Sequence, residues 1–270
     1  MKRFGFFLCV LCFIAFPFAT FAFEGIIVQK STHIASDVNP GMEAMQKMLQ
    51  RMPPEQRKLM EEKLKENMAP RNAEPDVSTQ TMYIKGPKMR MDFNQEKGER
   101  TFMIMDSQEE VVRNFFPEKK AYMEMSFAEL EEMGRGLSEM RKGPEEGKAG
   151  ELKKTGTKKE INGYACQLYT QQVGKHTNEY WITKDITIKE IMGEFPGRMK
   201  DFGKMGGLKS QQEALMKING YPILTITTNR YGTNRNEVIK IEKKGLSDDL
   251  FATPDGYRRQ SMKEMMAPER

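Results

Sequence analysis

From Ser78 onward the chain is cut into short segments whose apolar residues recur at every second position. Segments 78–85, 88–94, 100–106, 110–116 and 121–125 are separated by Gly86-Pro87, Glu96 to Glu99, Asp106 to Gln108 and Pro117 to Lys120. Such brief connections cannot return a chain to the starting end of a strand, so neighbouring strands must run antiparallel. The pattern resumes at 152–161, 164–173 and 177–183, turning at Asn162-Gly163 and around Gly174. It ends with 222–231 and 235–243, joined across Gly232-Thr233-Asn234, and Phe23 to Ile34 adds a first strand. An antiparallel sheet of ten or eleven strands curls or closes rather than staying flat. The expected fold class is therefore α+β: a curved antiparallel sheet, an incomplete barrel, with inserted amphipathic helices lidding one face.

The helices come from three interruptions with a different period. Asn39-Pro40 opens the first, where Met42, Met45, Met48, Leu49 and Met52 share a helical stripe that Pro53-Pro54 breaks. Met60, Leu64 and Met68 form a second stripe, so 37–68 reads as a helical insertion followed by a polar linker. Residues 126–142 carry Phe127, Leu130, Met133, Leu137 and Met140 on one face, and 143–151 (GPEEGKAGE) is a connector. A broken helical stretch at 186–218 aligns Ile188, Ile191, Met192, Phe195, Met199 and Phe202. Each amphipathic stripe must cover apolar surface. Residues 258–270 read as a frayed polar tail.

Methionine is the unusual component, with 23 in 270 residues. Three pairs fall on consecutive or near-consecutive strands of the meander: Met89-x-Met91, Met103-x-Met105 and Met123-x-Met125. Side chains two apart on a strand point the same way, so six thioethers can converge on one surface. Arg90, Glu124 and the turn residues are expected opposite. Flexible, polarisable thioethers suit an apolar surface that accepts ligands of varied shape, which makes these six the candidate ligand-binding residues. Thioethers are also soft donors for Cu(I), the competing chemistry.

Lys2 and Arg3 precede an apolar run from Phe4 to Ala19, and Thr20-Phe21-Ala22 supplies small residues for cleavage. The run is shorter than the roughly 20 residues of a spanning helix, and Pro17 interrupts it. Residues 1–22 thus read as a signal peptide, with the mature chain in the periplasm and no transmembrane segment in it. Cleavage removes Cys9 and Cys12, leaving Cys166 with no internal partner, so stability must come from a core. It also lowers the formal net charge from +5 to +3, a balance that gives no argument for nucleic acid.

Thr155 to Lys184 (TGTKKEINGYACQLYTQQVGKHTNEYWITK) carries Thr155-Gly156, Ile161-x-Gly163-Tyr164-x-Cys166 and Trp181-x-Thr183. With Phe23-Glu24-Gly25, Tyr83-Ile84-Lys85-Gly86, Met89-Arg90-Met91-Asp92 and the closing Leu250-Phe251-x-x-Pro254-x-Gly256-Tyr257, it resembles domain-of-unknown-function family 4412. That resemblance implies an exported protein with a fold similar to the lipoprotein carriers LolA and LolB, an incomplete barrel whose helices lid an apolar cavity. It implies one such domain over 23–257, with the 37–68 insertion as an elaboration, and no established activity.

No arrangement of residues reads as an active site. Only His33 and His176 could serve Cys166 as a base, and Cys166 lies on one strand face with Tyr164 and Leu168, as a buried structural thiol does. Acidic pairs such as Glu109-Glu110 lack calcium-loop spacing. Tyr180, Trp181 and Ile182 make both faces of their strand apolar. The expectation is a non-enzymatic carrier or sensor for an apolar ligand, a lipid or acyl chain, with no cofactor. The alternative is an envelope interaction or copper-handling protein that uses its Met-rich helices to contact a partner. The export reading is checked by N-terminal sequencing of protein from an envelope fraction, which should begin at Phe23.

Overall fold

The computed structural model describes residues 23–36, 75–95, 100–140, 150–193, 218–230 and 232–265. The expected signal peptide 1–22, the insertion 37–68 with its methionine stripes, and most of the 186–218 helix lie outside the described residues.

The strands are β1 (Gly25–Ala35), β2 (Asp76–Lys85), β3 (Lys88–Gln95), β4 (Thr101–Asp106), β5 (Val111–Phe116), β6 (Ala121–Ser126), β7 (Lys153–Ile161), β8 (Tyr164–Val173), β9 (His176–Thr183), β10 (Tyr221–Asn229), β11 (Gly232–Lys243) and β12 (Arg258–Arg259). They form one open sheet in the order β12-β6-β5-β4-β3-β2-β1-β11-β10-β9-β8-β7. Every pairing is antiparallel except β12 with β6. The two meanders meet where β1 pairs with β2 on one side and β11 on the other. Three α-helices are described: α1 (Phe127–Met140), α2 (Ile188–Met192) and α3 (Met262–Met265). Among the described residues no helix is long and apolar enough to cross a membrane.

Each helix start has the same local cause. Ser126, Thr187 and Ser261 are each followed three residues later by Glu129, Glu190 and Glu264. In each case the hydroxyl accepts from the glutamate N–H while the carboxylate accepts from the cap N–H at 2.7 Å.

Directly paired residues of neighbouring strands share a face. On the front, Ile84, Met89, Met105, Val112 and Met125 form one row across β2 to β6. The row beside it runs Ile241, Ile27, Met82, Met91, Met103, Asn114 and Met123. Most of these side chains belong to one core, against which α1 places Phe127, Leu130 and Met133. Trp181, Leu224 and Cys166 continue that core in the second meander. β9 is buried on both faces, as its Tyr180, Trp181 and Ile182 predict.

The back of β2 to β6 holds a second core of Phe102, Ile104, Phe115, Leu246 and Phe251. Phe102 and Phe115 stack at 4.4 Å between ring centroids, Tyr122 stacks on Phe115 at 5.3 Å, and Tyr257 meets both phenylalanines edge-on. The expected back residues Arg90 and Glu124 are there, Arg90 over rings of this aromatic core and Glu124 between two arginines. Arg90 lies over the Phe102 ring at 4.1 Å, donates to Asp92 at 2.6 Å and to the Leu250 carbonyl at 3.1 Å. Glu124 accepts from Arg113 at 2.6 Å and pairs with Arg259. Cation–π and charge-assisted contacts of this kind strengthen when the groups are drawn out of water.

Two expectations are corrected. The sheet has twelve strands, and the residues read as a frayed tail from 258 supply the twelfth. Arg258 N donates to Lys120 O and Gln260 N to Tyr122 O, which pulls the chain along β6 before α3 begins. Phe115 is fully buried at the centre of the back core. Its replacement by Ala should cost about 3–5 kcal/mol, and Tyr257→Ala about 2 kcal/mol, as read from urea denaturation midpoints.

Candidate ligand-binding face

The six expected methionines do not play equal parts. Met89 and Met105 are 1% and 4% exposed and belong to the core. Met91, Met103 and Met125 are half-buried and pack against it. Met123 is half-buried and shares their face through its pairing with Asn114, which stands between it and Met103. Met82 escapes the sequence reading because it is not part of a Met-x-Met pair. Its position is legible all the same, since it alternates with Gln80 and Ile84 along β2 and lies opposite Met91.

The front face is therefore graded across its rows. The row from Ile84 to Met125 is almost wholly buried. The next row offers Met82, Met91 and Met103 side by side on three adjacent strands, all half-open. The third row is polar but for Phe93: Gln29, Gln80, Phe93 and Thr101 pair in sequence across β1 to β4. Gln80 joins the second and third rows by donating its amide N–H to the Met91 sulfur at 3.1 Å. A cavity of about 160 Å³ opens over this polar end. Among the described residues no three His, Cys, Asp or Glu side chains gather where they could hold a metal.

Cys166 is 3% exposed and donates its S–H to the Tyr164 carbonyl at 3.4 Å. Burial, with a smaller repulsion from Asp185, pushes its thiol up to about 11 from 9.0. A thiol held protonated is a poor nucleophile. Lys159, opposite Cys166, caps the Trp181 ring at 3.9 Å.

Residues 63–257, well over half of the chain, match DUF4412, a domain of unknown function. The protein belongs to the DUF4412 family. No curated protein matches it. Among solved structures it is similar to PNGF-II in two crystal forms, at 13% identity in each. The TM-scores are 0.35 and 0.33, superpositions too loose to stand for a shared fold. The chain spans about a third of the length of those structures, 33% and 32%, while 90% and 88% of it is covered.

Of the motif residues quoted above, Glu24, Lys85, Arg90 and Leu250 meet at the back of the sheet, while Met89 and Met91 stand on the graded face. Glu24 accepts from Leu246 N at 2.7 Å, Lys85 donates to Leu246 O at 2.7 Å and pairs with Asp248 at 3.0 Å, and Arg90 reaches Leu250 O. Leu250, Phe251 and Tyr257 then complete the aromatic core. These motifs fasten the closing segment across β1 to β6. Asn162-Gly163 instead shapes the β7–β8 hairpin. Both residues have positive φ, as a two-residue turn needs, and the Asn162 amide donates to Val238 O at 2.8 Å.

The Cys166 environment gives a pH signature. The unfolded thiol ionises near 9.0 and the folded one near about 11, so its contribution is intact below 9.0. Stability then falls as pH climbs through that window, because only the unfolded chain releases the proton. Denaturation midpoints should drop more steeply between those pH values for the native chain than for Cys166→Ala.

Proposed function

We propose that this protein is an exported, non-enzymatic carrier or sensor that holds an apolar ligand, a lipid or acyl chain, on the half-open methionine row. The observation that carries the reading is the row Met82, Met91 and Met103, whose thioethers remain half-exposed beside a buried row that already supplies the core. A core alone gives no reason to leave that row open. Each methylene buried against it contributes about 0.8 kcal/mol, so an acyl chain along three strands gains enough to bind.

A twelve-stranded, mostly antiparallel sheet that stays open supports an incomplete barrel of the LolA and LolB kind, since sheets of that size curl. Helix α1 on the methionine side supports helices as the cover of the concave face, and the N-terminal signal supports the periplasm. The same three sulfurs favour a second reading, capture of Cu(I), because strand spacing brings soft donors close together.

Substitution separates structure from binding. Met103→Glu should abolish uptake of a fluorescent fatty acid and leave the far-ultraviolet circular dichroism unchanged. Met89→Ala should cost about 2–5 kcal/mol of stability and retain uptake in the folded fraction. Wild-type protein that takes up no fatty acid but withdraws Cu(I) from a competing chelator would replace the lipid reading with the copper one.

A further inference from the structure

We infer that the cavity at the polar end of the graded face receives the uncharged, hydrogen-bonding head of an amphipathic ligand whose chain lies on the methionine row. The inference rests on the carrier reading and adds the chemistry of the head.

Size comes first. Sites for whole small molecules occupy about 300–1,000 Å³. About 160 Å³ is too little for an entire lipid but suits a head group, provided the remainder lies elsewhere. Met91 supplies the continuation, since the Gln80 amide that lines the cavity rests on its sulfur.

Chemistry comes second. The cavity is lined by Gln29, Ser31, Ser78, Gln80, Phe93 and Asn236 among others, and no charged side chain lines it. Charged residues at the same level, Lys30, Arg235 and Glu237, are placed by the register on the opposite face, where Arg235 and Glu237 pair at 2.7 Å. Further along the face that carries the cavity, His33 is held by Asn234 at 2.8 Å and stands opposite Asp76. Ser31 donates to Asn236 at 2.5 Å, which fixes that amide. The side chains of Gln29 and Ser78 have no hydrogen-bond partner among the described residues, so donors and acceptors remain for a ligand.

Neutral amides and hydroxyls discriminate by pairing. They satisfy a hydroxyl or amide head directly and leave a carboxylate or ammonium without a countercharge. The class indicated is a neutral acyl ester or acyl amide, with a glycerol-like head as the simplest case.

Three probes with the same twelve-carbon chain decide it by equilibrium titration: monolaurin, laurate and dodecyltrimethylammonium. Monolaurin should bind wild-type protein about tenfold more tightly than either charged probe. In Gln29→Leu with Ser78→Ala, that preference should collapse while laurate affinity stays unchanged. Gln80→Met, which keeps side-chain length, provides the same test by a single substitution should the double variant not fold. Equal affinities in the wild type, or a preference that survives these variants, would overturn the head-group assignment alone. Failure of all three probes to bind would overturn the carrier reading with it.

Discussion

The pairing register of β1 to β6 is the constraint on which the rest depends. Side chains alternate with a period of two, so a slip of one residue exchanges faces. Moving β4 by one position would send Phe102 and Ile104 to the methionine side and put Met103 and Met105 under the aromatic segment. Both faces of this half are apolar, so hydrophobicity alone resists the error less than in a sheet with one wet face. What distinguishes the faces is shape and charge: flat rings and guanidinium groups behind, flexible thioethers in front.

The back clip resists that slip. Arg90 engages Asp92, the Phe102 ring and the Leu250 carbonyl together, and a one-residue slip between β3 and β4 takes the Phe102 ring from beneath the guanidinium. Glu24 and Lys85 hold Leu246 from two neighbouring strands, tying the closing segment to β1 and β2 at once. Rigid aromatic packing behind thus positions a softer surface in front. The clip keeps the register, and the register makes the front face.

Much of this is legible in the sequence. Period-two alternation and short turns locate eleven strands to within a few residues, because tight connections leave few topologies. The face shared by the methionine pairs follows from the pleat. Three things are hidden. The twelfth strand, Arg258–Arg259, is too short for a periodic signal, although the Ser261-x-x-Glu264 capping signature after it marks the tail as ordered. The unequal burial of Met89 and Met91 depends on where Phe127, Leu130 and Met133 land, which is a tertiary fact. The polar bay joins residues from β1, β2, β3 and β11, and their register across the meeting of the two meanders is not written in any local pattern.

An open sheet must also protect its edges without closing them, since exposed backbone templates pairing with other chains. At the β6 edge, the backbone N–H groups of Arg258 in β12 and of Gln260 just after it take up the carbonyls of Lys120 and Tyr122. The β7 edge is treated differently. Lys153, Lys154, Lys158 and Lys159 are all exposed there, and the register shifts between Lys154 and Lys158. Gln167 donates its amide to the carbonyls of Thr155 and Thr157 across that irregularity. Lysines and a bulge discourage a second copy from continuing the sheet, so the front face need not be sealed to prevent edge-to-edge growth. A closed barrel would bury the methionine row permanently, whereas guarded edges allow the row to stay half-open.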